Sequence, residues 1–146
     1  MIALWTTMAL LGVVGWIIYQ FNTLVGLSND IDEAWAQIDL QFVRRYDLAA
    51  RVLEGSSLDK LAAARNAFTP GEKSKTEPAL VAALTVAPDA EVRQTLADIE
   101  DYLRTAGQNY NEMVDDLNER VSRFPQNLLA DLFGVVVREQ FLPETK

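Results

Sequence analysis

The chain has 146 residues, with 13 Lys and Arg against 21 Asp and Glu, a formal net charge of -8 at pH 7, and neither Cys nor His. This length accommodates one domain, and the missing residue types exclude thiolate nucleophiles, imidazole bases, structural zinc sites, histidine-ligated haem and ordinary iron–sulfur clusters. The acidic charge argues against nucleic acid as a partner, because phosphate backbones are neutralised by clustered Lys and Arg.

The first 29 residues carry no charged side chain. Residues 1–22 are apolar over about 21 positions, which at roughly 1.5 Å per residue matches a hydrocarbon core of about 30 Å. They lack the basic start and small-residue exit of a cleaved signal peptide, so we predict an uncleaved transmembrane anchor rather than the buried helix of a soluble core. Trp5 lies near one end and Trp16 near the other, where aromatic rings favour lipid headgroups.

Helical spacing continues beyond the anchor, in residues 23–146, which we assign to a helical bundle domain. Apolar residues recur in steps of three and four at Leu27, Ile31, Ala34, Ile38, Phe42, Tyr46, Ala49 and Leu53. A lone glycine, Gly26, costs only about 1 kcal/mol inside a helix. The anchor and the first bundle helix are therefore predicted to form one helix from about residue 2 to 54, roughly 80 Å long, with Gly55 as its cap.

The middle of the chain is predicted to contain a second helix and a linker. Ser56 and Asp59 resemble a capping box, which opens a helix running through Phe68. Residues 69–78 contain two prolines and a glycine, and we predict that they form a flexible surface linker. Pro88 then suits the first position of the following helix.

The clearest periodicity lies in the second half of the chain. Apolar residues form a seam of about four heptads at Val92, Leu96, Ile99, Leu103, Ala106, Tyr110, Met113, Leu117 and Val121. This seam must be buried against another helix, and the acidic outer face is predicted to be solvated. Residues 124–146 are predicted as a short helix and tail, with the helix from Pro125 to Phe133 capped by Gly134. The fold class is all-α.

Two stretches of the sequence resemble the LemA family. The first contains FNxLV from Phe21, DEAWAQID from Asp32 and RRYDL from Arg44, and the second contains Tyr110-Asn111 and FPxNLLAxLF from Phe124. The resemblance implies a bacterial membrane protein with one N-terminal anchor, an antiparallel bundle of long helices and no established enzymatic activity. Some relatives are associated with the formation or shaping of intracellular membranes. The middle of this chain is shorter than in typical members, so we expect three to four helices.

The candidate interface or packing residues come mainly from these two stretches. They are Trp35, Arg44, Arg45, Tyr46, Tyr110, Asn111, Phe124, Pro125, Leu128, Leu132 and Phe133. The adjacent arginines 44 and 45 suit either an anionic headgroup or an acid of the same chain, such as Asp39, Asp47 or one on the heptad helix. We favour the internal pairing, because acids are plentiful nearby.

Acidic residues cluster at positions 30–33 and 115–116, and carboxylates can ligate a metal ion or act as an acid–base pair. Neither has the spacing of a calcium-binding loop, and adjacent residues point apart on a helix, so a solvated face is the better interpretation. We therefore predict no catalytic residue, no metal site and no cofactor. The apolar stretch from Leu128 to Val137 is too short to span a bilayer. It either packs over the end of the bundle, which we favour, or lies in the membrane interface, or joins subunits.

Two functions remain. The first is a membrane-anchored structural or scaffolding protein that contacts the lipid bilayer and assembles as a homo-oligomer through its apolar tail or heptad face. The second is a regulatory subunit that binds another membrane protein, such as a protease or transporter. Positive charge after the anchor favours a cytoplasmic position for the bundle domain, at the inner membrane of a bacterial cell.

Overall fold

The computed structural model describes residues 1–55, 57–85, 90–123 and 125–141. All regular secondary structure in these ranges is helical, which confirms the all-α prediction. The helices are α1 (Ile2–Val52), α2 (Ser57–Arg65), α3 (Pro70–Leu84), α4 (Ala90–Ser122) and α5 (Gln126–Phe133).

Helix α1 confirms the prediction of one unbroken helix from the anchor into the bundle. Its N-terminal part is long and apolar enough to cross a membrane, with a mean hydropathy of 1.9 over an 18-residue window of which 0% is buried. Further along the same helix only one face is covered, and Leu24, Ile31, Ile38 and Phe42 are almost completely buried there. The buried face begins at Leu24, a few residues before the first charged side chain, Asp30.

The predicted linker over residues 69–78 is wrong, because α3 begins at Pro70 and runs through that range. The Thr69 side chain accepts a hydrogen bond from the Glu72 backbone N–H, and the Glu72 carboxylate accepts from the backbone N–H of Thr69. This capping box satisfies amides that the first turn leaves without partners, and Pro70 at the first position has no N–H and so needs no acceptor. Pro78 lies inside the helix, where the buried side chains at Glu77 and Leu80 hold α3 in place.

Helix α2 is shorter than expected. It ends at Arg65, and Phe68 lies beyond it with 78% of its surface exposed. The predicted cap at Ser56 and the helix start at Pro88 lie outside the described residues.

Helices α4 and α5 follow the sequence pattern closely. Every residue of the predicted α4 seam is buried or half-buried, with Ile99, Leu103 and Leu117 among the most enclosed. Gly134 ends α5 in the left-handed conformation with φ 68°, as predicted for its cap. Gly55 also has a positive φ, of 59°.

The described chain divides into two compact units, and α1 and α4 each contribute to both. Unit 1 comprises residues 1–32 and 113–138, and unit 2 comprises residues 33–112 and those from 139 onward. In unit 2, α1 and α4 run antiparallel. Trp35 contacts Tyr110, whereas Leu48, later in α1, shares a groove with Thr95, earlier in α4. This agrees with the predicted antiparallel bundle.

Candidate functional site

Unit 2 encloses a cluster of charged and phenolic side chains between α1 and α3. This buried ionic cluster consists of Asp39, Arg45 and Tyr46 from α1 and Lys73 and Glu77 from α3. Arg45 Nη1 donates to Glu77 Oε2 at 2.7 Å, and the two side chains are only 5% and 7% exposed. Lys73 Nζ lies 3.2 Å from Asp39 Oδ1; the Lys73 side chain is 4% exposed and that of Asp39 is 49% exposed, so Asp39 lies at the edge of the cluster. Two cations therefore face two carboxylates, and the formal charge of the cluster is zero.

The Tyr46 hydroxyl lies at the centre of the buried ionic cluster. It donates to Glu77 Oε1 at 2.5 Å, accepts from Lys73 Nζ at 3.1 Å, and lies 3.1 Å from the Ala64 carbonyl oxygen of α2. Burial, and then the hydrogen bond to Glu77, raise the pKa of Tyr46 well above its usual range. The phenol is therefore protonated at physiological pH and acts as a fixed donor.

The remaining contacts of the buried ionic cluster are also satisfied. Lys73 Nζ lies 4.7 Å from the centre of the Phe42 ring and 5.1 Å from that of Tyr46, within the range of cation–π attraction. Among the described residues, no buried side-chain nitrogen or oxygen lacks a hydrogen-bond partner. Groups so fully engaged with one another hold helices together.

The structure separates the two arginines that the sequence placed side by side. Adjacent residues point about 100° apart on a helix, so Arg45 is buried while Arg44 is exposed. Arg45 pairs within the chain as favoured, but its partner Glu77 was not among the acids considered. Asp39 pairs instead with Lys73, and Asp47 with Arg65 at 3.6 Å.

A second cluster in unit 2 is aromatic. The Trp35 ring lies 5.5 Å from Tyr110, 5.9 Å from Phe141 and 6.4 Å from Phe42, measured between ring centroids. The Tyr110 hydroxyl donates to the Glu139 carbonyl at 3.0 Å. The structure thus gathers predicted residues 35 and 110 around Phe141.

The amide of Asn111 fixes this C-terminal segment through its backbone. Asn111 Oδ1 accepts from the Phe141 backbone N–H at 2.8 Å, and its Nδ2 donates to the Phe141 carbonyl. The side chain of Phe141 is 3% exposed. Asn111, a predicted candidate, is therefore a positioning residue for the end of the described chain.

Unit 1 contains the remaining candidates, close to the end of the apolar segment of α1. The Phe133 ring meets the edge of Phe21 at 4.5 Å. On α5, Leu129 and Ala130 are buried, whereas the candidates Leu128 and Leu132 point outward. Pro125 directly precedes α5, and Phe124 lies outside the described residues.

Arg138 closes unit 1 on the side of α1. Its backbone N–H donates to Asn118 Oδ1 at 2.8 Å, and its carbonyl accepts from Asn118 Nδ2 at 3.0 Å. Its guanidinium donates to Ser28 Oγ at 3.2 Å and pairs with Asp32 at 3.1 Å. These contacts tie the segment after α5 to both long helices within the unit.

Sequence reasoning missed Lys73, Glu77 and Phe141. A signal for the first two existed, because Thr69 and Glu72 have capping-box spacing and residues 73, 77, 80 and 84 then recur at helical intervals. Nothing in the local sequence marks Phe141, since its burial depends on Trp35, far away in the chain. The described residues contain no cluster of three or more potential metal-ligating side chains.

The LemA family model matches residues 78–146. This range contains the second of the two resembling stretches, from Tyr110 to Phe133, and leaves the first, from Phe21 to residue 48, outside it. No curated protein matches the chain.

Proposed function

Since the match over residues 78–146 makes the chain a LemA family protein, we propose that it is a non-catalytic, membrane-anchored scaffold that assembles with further copies of itself. The observation that supports this proposal most directly is α1. An apolar segment with none of its surface buried continues without a break into a helix with a packed face. Lipid covers the first part at least cost, and the second part then holds the bundle at the bilayer.

The non-catalytic part of the proposal is supported by the state of the titratable groups. In the buried ionic cluster the acids, bases and phenol are engaged with one another. Arg45 also lines a cavity of about 230 Å³ beside α4, but an arginine in an ion pair is neither a nucleophile nor a base. We place the protein in the inner membrane of a bacterial cell with its bundle on the cytoplasmic side, on the family membership and the positive charge of Arg44 and Arg45.

Self-association needs a surface other than the heptad seam of α4, whose residues are buried or half-buried within the fold. The outward stripe of α1 offers one, because Leu40 and Val43 are 48% and 46% exposed on the same side of the helix as Arg44 and Asp47. Apolar side chains bordered by charges of both signs complement a second copy of themselves, as in two-fold interfaces.

The test is the mass of the full-length protein in detergent, corrected for bound detergent by light scattering. We expect a discrete oligomer, and we expect Val43→Glu to reduce it to a monomer by placing an unpaired charge in the interface. Ala62→Glu, at an exposed position of α2, is the matched control and is expected to leave the mass unchanged.

A wild-type protein that stays monomeric at all concentrations would overturn the self-association proposal. The regulatory-subunit hypothesis would then take its place, and crosslinking in membranes would identify the partner. If both acidic variants dissociate, the stripe on α1 is not the specific contact.

A further inference from the structure

We propose that α5 and the residues after it form a second contact with the membrane, lying in the interfacial layer beside the transmembrane anchor. The interfacial surface, as we call it, consists of Leu128, Leu132, Val136 and Val137. The inference rests on the proposed anchoring of residues 1–22 and adds a lipid-binding site outside the membrane-spanning segment.

The first observation is that this apolar surface serves no purpose inside the fold. Leu132 is 73% exposed, Val136 and Val137 are each 62% exposed, and Leu128 is 59% exposed. Leu129 and Ala130 are the buried residues of α5, and they already supply its packing against the rest of the protein. A short helix that packs on one side normally turns polar side chains outward, so apolar residues on the outer side indicate a further apolar partner.

The second observation identifies that partner by position. The edge-to-face contact of Phe133 with Phe21 places the end of α5 at the end of the uncharged anchor. Arg138, at the other end of the segment, is bonded to Ser28, seven residues further along α1. At about 1.5 Å per residue, Phe21 and Ser28 are about 10 Å apart along α1, so the segment between these contacts lies beside the first two turns of α1 beyond the anchor, next to the headgroup layer.

The charges near this segment favour uncharged lipid over anionic headgroups. Arg138 is neutralised by Asp32, and the charged side chain on α5 itself, Asp131, is acidic and exposed. The contact is therefore apolar and shallow, with Asp131 at the headgroup level. The anchor also makes the docking intramolecular, so that a surface of a few side chains suffices where a free helix of this length would not bind.

The test uses the full-length protein in phosphatidylcholine vesicles with one nitroxide label per molecule. The chain has no native cysteine, so Leu132→Cys and Val137→Cys each give a single labelling site. Leu10→Cys within the anchor is the lipid reference, and Ala62→Cys on α2 is the water reference. Collisions of the label with oxygen, which concentrates in lipid, and with a water-soluble nickel chelate are measured by electron paramagnetic resonance.

We expect the labels at 132 and 137 to favour oxygen over the nickel chelate severalfold more than the label at 62, in the direction of the label at 10. Far-UV circular dichroism of each labelled protein establishes that the helices are retained, and the second site guards against a local disturbance at the first.

Three other results overturn the proposal, each for a different reason. Labels at 132 and 137 that match the label at 62, while position 10 is lipid-like, leave the anchor intact and remove the interfacial contact. A water-accessible label at 10 contradicts the anchoring itself. Labels at 132 and 137 shielded from both reagents identify a protein contact, such as a second copy, in place of lipid.

Discussion

Glu77 and Asp47 each form an ion pair with an arginine in unit 2, but the two pairs differ in their exposure to solvent. The Glu77 side chain is 7% exposed, and that of Asp47 is 65% exposed. Removing one partner of a buried pair leaves the other charge without compensation, so Glu77→Gln is expected to lower the free energy of unfolding by about 3 kcal/mol. The matched change Asp47→Asn is expected to cost less than about 1 kcal/mol, because water solvates the exposed pair.

Urea unfolding of the detergent-solubilised protein, followed by far-UV circular dichroism, measures the difference between these two variants. Equal effects would mean that the buried ionic cluster contributes no more than a surface pair.

Tyr46 predicts how stability changes with alkaline pH. Its pKa in the folded protein is raised, chiefly by burial, whereas an unfolded tyrosine ionises at about pH 10. Its contribution is therefore fully present below about pH 10 and is lost as the pH rises above that value. We expect Tyr46→Phe to be less stable at neutral pH, because Glu77 loses a donor, yet to lose less stability on going to alkaline pH.

Thermal melting across this pH range tests the Tyr46 prediction. Tyr102→Phe, at an exposed position of α4, serves as the control. A wild-type profile that Tyr46→Phe leaves unaltered in shape would contradict it.

For Arg45, the sequence predicts burial but not the identity of the residue with which it pairs. That Arg44 and Arg45 differ in burial follows from helical phase together with the apolar face of α1. That Arg45 reaches Glu77 depends on where α3 packs, and no spacing within α1 contains this information.

Helix α3 begins with a capping box whose strength depends on the charge of Glu72. Its carboxylate accepts from the backbone N–H groups of Phe68 and Thr69, which lower its pKa. The stabilisation is present above the usual glutamate pKa of about 4.3 and is lost as the pH falls below it. We expect Glu72→Gln to speed hydrogen exchange in the first turns of α3 near neutral pH. The protection of these amides should also change less in the variant than in the wild type when the pH is lowered.

Glu100→Gln, on the exposed side of α4, is the matched change and is expected to leave exchange in α3 as it is. If the amides of α3 in Glu72→Gln exchange as fast as those of the wild type both near neutral pH and below about pH 4, the capping box does not determine where α3 begins.

Two glycines predict opposite effects of the same substitution. A methyl group at Gly26 in α1 meets no atom within 4 Å, so Gly26→Ala is expected to stabilise the helix by about 1 kcal/mol. Gly134 has φ 68°, a conformation that costs a residue with a Cβ about 1 kcal/mol or more, so Gly134→Ala is expected to destabilise. Melting temperatures that move in the same direction would contradict the assignment of one of these positions.

At the level of helices, periodicity was sufficient for the two long ones and not for α3. Helices α1 and α4 keep an apolar face over many turns, which no other arrangement satisfies. Helix α3 buries Lys73 and Glu77 on the face where apolar residues are expected, and it contains Pro78. Its composition is that of a linker, and it is helical because its cap and its charged partners on α1 stabilise it. Those partners lie outside any local window.

The stability of the chain as a whole depends on the seam of α4. Leu117 is completely buried, so Leu117→Asp places an unpaired carboxylate in the core of unit 1 at a cost of more than about 3 kcal/mol. We expect loss of helicity and a lower melting temperature by circular dichroism. Gln108→Asp, on the exposed side of the same helix, is expected to change both very little. Unchanged helicity and an unchanged melting temperature in Leu117→Asp would show that the seam of α4 does not stabilise the fold.

If the apolar part of α1 spans a membrane as proposed, the unbroken course of α1 makes the rest of this helix sensitive to bilayer thickness. A spanning helix tilts when the hydrocarbon layer is thinner than its apolar length. A flexible joint at the membrane surface would absorb such a tilt, but in α1 the residues on both sides of the surface belong to one helix. In the proposed anchored protein, a change in the thickness of the surrounding lipid is therefore transmitted along α1 itself.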